Sequence, residues 1–251
     1  MTKRKTLIVI VYAPALVGND RRALDSVHGM ERALPGLRLE WRVTERRRLA
    51  ALPQRDAWLV ENIEDGGFPL VCNGDESYPV TVWGLGQSGL LSAGGQSQLE
   101  VHAELPLDEP MIAAAAAMLE AVAEGARSFW GHASPNDYGS EVAQQFRRSA
   151  HGPERSPRGL PMLNLPEKFP APAIPWFLGW LNYWSAASAQ AIGFPDPVRD
   201  AELLTRARRT ESGGWVVQLT EAPLDYDNPT HLEALKRAYE RFPEIGGRST
   251  P

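Results

Sequence analysis

Several short stretches of this chain carry residues of the right type and spacing to do chemistry. Gly84-Leu-Gly-Gln-Ser-Gly89 has the G-x-G-x-x-G spacing. In a dinucleotide site such glycines let the backbone approach a pyrophosphate, which sits on the N-terminus of the helix that follows. Here the run continues as Leu-Leu-Ser-Ala-Gly-Gly with no helical pattern. The context fails, and a hairpin connection is expected instead. His102-Ala-Glu104 has the H-x-E spacing of zinc deaminases, but no P-C-x-x-C follows to complete the metal site. The single cysteine, Cys72, sits in an apolar run and reads as a small core residue rather than a nucleophile. His132, Asp137 and Glu141, joined by Asp225 and Asp227, could form a metal or acid/base site, although capping and turn duty explains them more simply. No catalytic constellation, cofactor site or metal site is expected, and the protein reads as a non-enzyme.

Two surface candidates remain. Trp176, Trp180 and Trp184 recur at intervals of four and could line a groove, with core packing as the plainer reading. The loop Glu221–Asp227 sets Tyr226 among Glu221, Asp225 and Asp227, between Pro223 and Pro229. An aromatic anchor among acids in a proline-bounded loop makes these four the candidate partner-binding residues. An ordinary solvated loop is the alternative.

Behind these candidates lies an ordinary globular composition: 251 residues, 43% hydrophobic, 23% charged. That length can bury a core without staples. The net charge of −5 weakly repels nucleic acid, and one cysteine excludes an internal disulfide. No run approaches the ~20 apolar residues of a membrane helix. Lys3-Arg4-Lys5 before Leu7–Val17 resembles the start of a secretory signal, but Ile8–Val11 is β-branched and Pro14 follows, so a buried strand is expected. The expected location is cytoplasmic.

The elements that must position these residues follow from periodicity and punctuation. Leu7–Tyr12 predicts a central strand. Asn19 or Asp20 can cap a helix running to Pro35-Gly36. Leu37, Leu39, Trp41 and Val43 alternate with charges, predicting a half-buried strand. Arg46-Arg47-Arg48 reads as a solvated turn. Strands are expected at Phe68–Cys72, Pro79–Trp83 and Leu99–Leu105, the last two joined by a long hairpin connection through Gly84–Ser97. Asp108 and Pro110 open an alanine-rich helix at Met111–Val122. A short helix is expected over Asn136–Arg148. Residues 150–175 hold seven prolines from Pro153 to Pro175 among apolar residues, and read as a packed connection. Trp176–Ile192 predicts a helix, Trp215–Leu219 a strand paired with the segment before Gly213, and Asn228-Pro229 the start of a last helix. Strands and helices lack regular alternation. The fold class is therefore α+β, with a largely antiparallel sheet and packed helices. One domain is expected over 1–251: an N-terminal lobe 1–149, the connection 150–175, and a C-terminal lobe 176–248, the halves sharing one core.

Trp176-Phe-Leu-Gly-Trp-Leu-Asn-Tyr-Trp-Ser185, Ile192-Gly-Phe-Pro195, Gly214-Trp-Val-Val-Gln-Leu-Thr220 and Pro223-Leu-Asp-Tyr-Asp-Asn-Pro-Thr-His231 resemble the immunity protein 52 family of bacterial polymorphic and type VI secreted toxin systems. Tyr12-Ala-Pro-Ala15 and His28–Pro35 are similar to segments of related myxobacterial proteins. The resemblance implies an α+β fold and binding to a cognate protein toxin, often a nuclease. It carries no catalytic residues to transfer. No cofactor and no nucleic-acid or membrane partner are expected, and the oligomeric state is open. Its alternative is a small-molecule-binding protein or enzyme with a cleft between the two lobes.

Overall fold

The computed structural model describes residues 5–18, 20–146 and 156–248. Ten strands form one antiparallel sheet. β1 (Thr6–Pro14) runs near its middle, between β6 (Gln98–Pro106) and β7 (Trp130–Pro135). On the β6 side follow β5 (Thr81–Gln87), β4 (Phe68–Cys72), β2 (Trp41–Val43) and β3 (Leu49–Ala51). On the β7 side follow β8 (Leu181–Trp184), β10 (Trp215–Gln218) and β9 (Ala207–Arg209). The sheet thus passes without a break from N-terminal to C-terminal segments, through the β7–β8 pairing. The α+β expectation holds.

Alternation along β1 defines two faces. Leu7, Val9 and Val11 are fully buried on one, while Ile8 and Ile10 are half-buried on the other. The first face is covered by α1 (Arg22–Ala33) and α3 (Glu109–Ala126), which pack against each other. Small residues permit this approach: a Cβ on Gly125 would stand 2.6 Å from the Asp25 backbone. The alanine-rich helix packs on the sheet as its composition implies. Asp20 accepts a bond from the Arg22 amide at 3.0 Å and pairs with the Arg22 guanidinium; Asn19 lies outside the described residues.

The start of α3 follows the punctuation at Asp108. The Met111 amide donates to its carboxylate at 3.1 Å, and the Tyr78 hydroxyl donates to the other oxygen at 2.7 Å. Asp108→Ala is expected to lower stability by about 1 kcal/mol, read as a lower urea midpoint with unchanged slope. An unchanged midpoint would show that the cap contributes nothing.

Two expectations need correction. Trp176–Ile192 is not one helix. Residues 176–180 are irregular, Leu181–Trp184 is β8, and α5 (Ala186–Ala191) begins only after Ser185, whose hydroxyl accepts from the Ser188 amide at 3.2 Å. Every residue from Trp176 to Trp184 is buried, so the stretch lacks the wet side of a surface helix. A spacing of four is also a multiple of two, and strand and helix are then indistinguishable by period. Second, the Leu37–Val43 strand shortens to β2, where Trp41 and Val43 are exposed. It forms a ribbon with β3 and joins β4 in the sheet by the single pairing of Trp41 with Cys72. Elsewhere, the stretch Asp56–Asn62, whose type the sequence does not settle, lies in α2 (Arg55–Glu61). The short helix after Asn136 is α4 (Tyr138–Phe146), and residues 147–155 lie outside the description.

The C-terminal segments cover the second face over β7, β8 and β10. Trp176 meets Tyr12 at 4.5 Å between centroids, Phe177 meets Trp130 edge-on at 5.5 Å, and Phe242, just after α7 (Pro229–Arg241), meets Trp184 at 5.3 Å. Asn228 caps α7 through a bond from the Thr230 amide at 3.0 Å. The remaining helix, α6 (Ala201–Leu204), precedes β9.

Candidate partner interface

The second face has an uncovered half. Opposed residues in an antiparallel pair share a face, so the register lays three rows across β5, β6 and β1. Trp83 opposes His102, which opposes Ile10; Thr81 opposes Glu104, which opposes Ile8; Leu85 opposes Glu100, which opposes Tyr12. Tyr12 is buried under Trp176, but Thr81, Trp83, His102, Glu104, Ile8 and Ile10 are only half-buried, and Leu85 is 47% exposed. On the helix-covered face, Val82, Val101 and Ala103 are fully or almost fully buried. This half of the sheet therefore presents a band of aromatic, aliphatic and acidic side chains to solvent.

The band is internally ordered. The Trp83 and His102 rings stack at 5.2 Å, 15° apart, and His102 Nε2 meets Glu100 Oε2 at 3.1 Å. Aromatic surface held rigid by its neighbours loses little freedom when a partner covers it. Two carboxylates against a single imidazole make the band acidic. The hairpin connection at its end exposes Leu90 and Leu91.

The stretch Gly84–Gly89 belongs to this hairpin. β5 runs through it to Gln87, and two short 3-10 turns follow in place of the helix a dinucleotide site needs. A Cβ on Gly86 would collide with the Asp65 carbonyl at 1.8 Å, so that glycine permits close backbone packing. His102 and Glu104 lie side by side on β6. Among the described residues no group of three or more His, Cys, Asp or Glu is placed to hold a metal. Cys72 is buried, and burial pushes its thiol up, away from the reactive thiolate.

The loop residues Glu221, Asp225, Tyr226 and Asp227 divide. The side chains of Glu221, Asp225 and Asp227 are exposed, whereas Tyr226 turns inward and stacks on Tyr138 at 5.7 Å. Burial pushes the Tyr226 phenol far above its ordinary range, reinforced by Tyr239, Glu141 and Asp137. Arg158 ties the loop down: it donates to the Tyr226 carbonyl at 2.7 Å and pairs with Asp227 at 3.0 Å and buried Glu141 at 3.3 Å. Asp225 accepts from the Asp227 amide at 2.9 Å, closing a turn ahead of α7. The acids are thus available at the surface, while the aromatic ring is held within the fold.

His132, Asp137 and Asp225 do not converge. Asp137 and Asp225 are exposed, whereas His132 sits in the middle of β7 with 3% of its surface accessible. Burial, with His102 adding repulsion, pushes its imidazole down to about 3. It borders a small chamber of about 130 Å³ with Ile8, Ile10, Tyr138, Val142 and Phe177. Sequence reading missed both the chamber and the band, because β-strand register across non-adjacent segments creates them. The one available signal was the alternation Glu100, His102, Glu104, which marks a strand face without saying what covers it.

A ten-stranded antiparallel sheet, with helices over one face and a half-open second face, makes this an α+β fold. The chain belongs to the family described as a domain of unknown function, DUF5953, which matches residues 18–250. Among solved structures it is similar to the Pseudomonas aeruginosa T6SS protein PA0821, with a TM-score of 0.53 and 16% identity over 95% of this chain and 73% of that one. At that identity the likeness is one of fold. No curated protein matches. Among the described residues, no helix is long and apolar enough to cross a membrane.

Proposed function

We propose that this protein is a cytoplasmic, non-enzymatic immunity protein that binds a cognate secreted toxin and occludes it through the open half of its sheet. The observation that carries the reading is the ordered band of Trp83, His102 and Glu104, with Glu100 buried behind His102, left uncovered beside an otherwise well-packed core. Interface cores concentrate aromatic anchors of this kind. The resemblance of the Trp176–His231 segments to immunity protein 52, and the shared fold with a T6SS protein, support the same class. The band's acidity, with the exposed acids of the Glu221–Asp227 loop, suits a basic partner such as a nuclease, where charge complementarity raises the association rate.

The test is co-expression with the toxin encoded beside the gene, followed by co-purification and titration. The wild type should rescue growth and form a stable complex. Trp83→Ala should weaken that complex by about 2 kcal/mol, roughly thirtyfold. Glu104→Lys should chiefly slow association, with a steeper loss at low salt. A wild-type protein that neither protects nor binds would sink the reading. Full affinity in folded Trp83→Ala would move the interface elsewhere, with Glu221, Asp225 and Asp227 next to be replaced.

A further inference from the structure

The chamber beside His132 adjoins the open band and shares Ile8 and Ile10 with it. Its walls are almost wholly apolar: Ile8 and Ile10 from β1, Val142 from α4, and the rings of Phe177 and Tyr138. Phe177 meets the His132 ring edge-on at 4.8 Å, and Tyr138 lies 5.9 Å away. At about 130 Å³ the space approaches the apolar cavity of about 150 Å³ that takes up benzene in a well-studied case. Ser134, Asn136, His132 and the Tyr138 hydroxyl add polar atoms to this lining; Ser134 is satisfied by the Ala133 carbonyl and the Trp180 amide, whereas among the described residues the Tyr138 hydroxyl and the His132 ring are not. His132 is 3% exposed, and neither of its ring nitrogens has a hydrogen-bond partner among the described residues. Buried polar groups are nearly always satisfied, and an exception asks for an explanation.

We propose that this chamber is a binding site for a small uncharged molecule with an apolar body of phenol size and one hydrogen-bonding group, which His132 satisfies. The size follows from the volume, and the apolar body from the aliphatic and aromatic walls. The hydrogen-bonding group follows from the unpartnered imidazole, which in its neutral form offers one donor and one acceptor. The lack of charge follows from the lining. No carboxylate or cation borders the chamber, and Glu104, beside Ile8 on the next strand, repels an anion at its edge. His132 also stays neutral through the ordinary pH range, so it provides no counter-charge for a carboxylate. The inference does not depend on toxin binding.

The experiment follows the ring resonances of the five histidines by NMR in the 251-residue protein, titrated with phenol, benzene and benzoate. His132→Phe assigns the His132 signal by its disappearance. Phenol is expected to shift that signal saturably and to raise Tm. Benzene should bind at least about fivefold more weakly, the worth of one hydrogen bond. Benzoate should leave the signal in place. Filling the chamber with Val142→Phe should abolish the phenol shift; Ile8→Phe serves the same purpose if that variant does not fold. A His132 signal unmoved by phenol overturns the site. So does an undiminished shift in a folded, filled variant. Benzoate binding as tightly as phenol overturns the assigned ligand class.

Discussion

Trp184→Ala is expected to cost about 3–5 kcal/mol of folding free energy, the range for emptying a fully buried large aromatic site. Trp184 has no accessible surface. It lies on β8 opposite Trp130 on one side and Trp215 on the other, and its ring meets Phe194 at 5.1 Å and Phe242 at 5.3 Å, both edge-on. Such aromatic contacts contribute beyond the area they bury. Its neighbours come from the sheet, from the segment after α5 and from the end of α7, so no single element can relax into the space. Urea unfolding should show a much lower midpoint with little change in slope. Trp41→Ala is the comparator, because Trp41 is 37% exposed on the β2–β3 ribbon and should cost far less. Equal losses for the two variants would place the core of the C-terminal half somewhere other than around Trp184.

The second large effect is a dependence on pH. His132 titrates near 3 in the folded protein and near its ordinary value of 6.5 when unfolded. Between those values the unfolded chain carries a proton that the folded chain does not. Stability from this residue is therefore fully present above about pH 6.5 and is lost as the pH falls towards 3. The slope is about 1.4 kcal/mol per pH unit where the unfolded imidazole is charged and the folded one is not. Carboxylates contribute their own acid dependence, so the informative quantity is a difference. From pH 6 to pH 4 the wild type should lose about 2–3 kcal/mol more than His132→Phe, which retains an aromatic ring without a titrating group. Parallel stability curves for the two proteins would show that His132 is solvated or partnered in solution.

Local signals were legible where a single segment contained all the information. β1 reads as a buried strand because Leu7–Tyr12 is continuously apolar. α3 and α7 read correctly because Asp108-Glu-Pro110 and Asn228-Pro229 satisfy first-turn amides within their own segment. The β9–β10 hairpin is marked by Gly213-Gly214. The tryptophan segment read correctly as core but not as a helix. Its burial comes from β1, β7, β10, α7 and the residue that follows α7 together, and no local period encodes that. Tyr226 shows the same limit. Its loop has the composition of an exposed surface, but Arg158, 68 residues earlier, and Tyr138 hold the ring inward.

The chain by itself determined its α+β class, its main capped helices and the absence of the sequence contexts that dinucleotide or zinc-deaminase chemistry requires. Those properties are set by residue type and short-range spacing. Only the tertiary structure decided that Gly84–Gly89 is strand and tight turn, that Trp176–Trp184 is irregular chain and strand instead of helix, and that His132 lies unpartnered beside a chamber. It also decided that Trp83, His102 and Glu104 stand together on an open face, with Glu100 buried behind His102. The physical reason is strand register. Antiparallel pairing joins β5, β6, β1 and β7 from separate stretches of the sequence, and which of their faces stays wet depends on where the C-terminal segments come to rest.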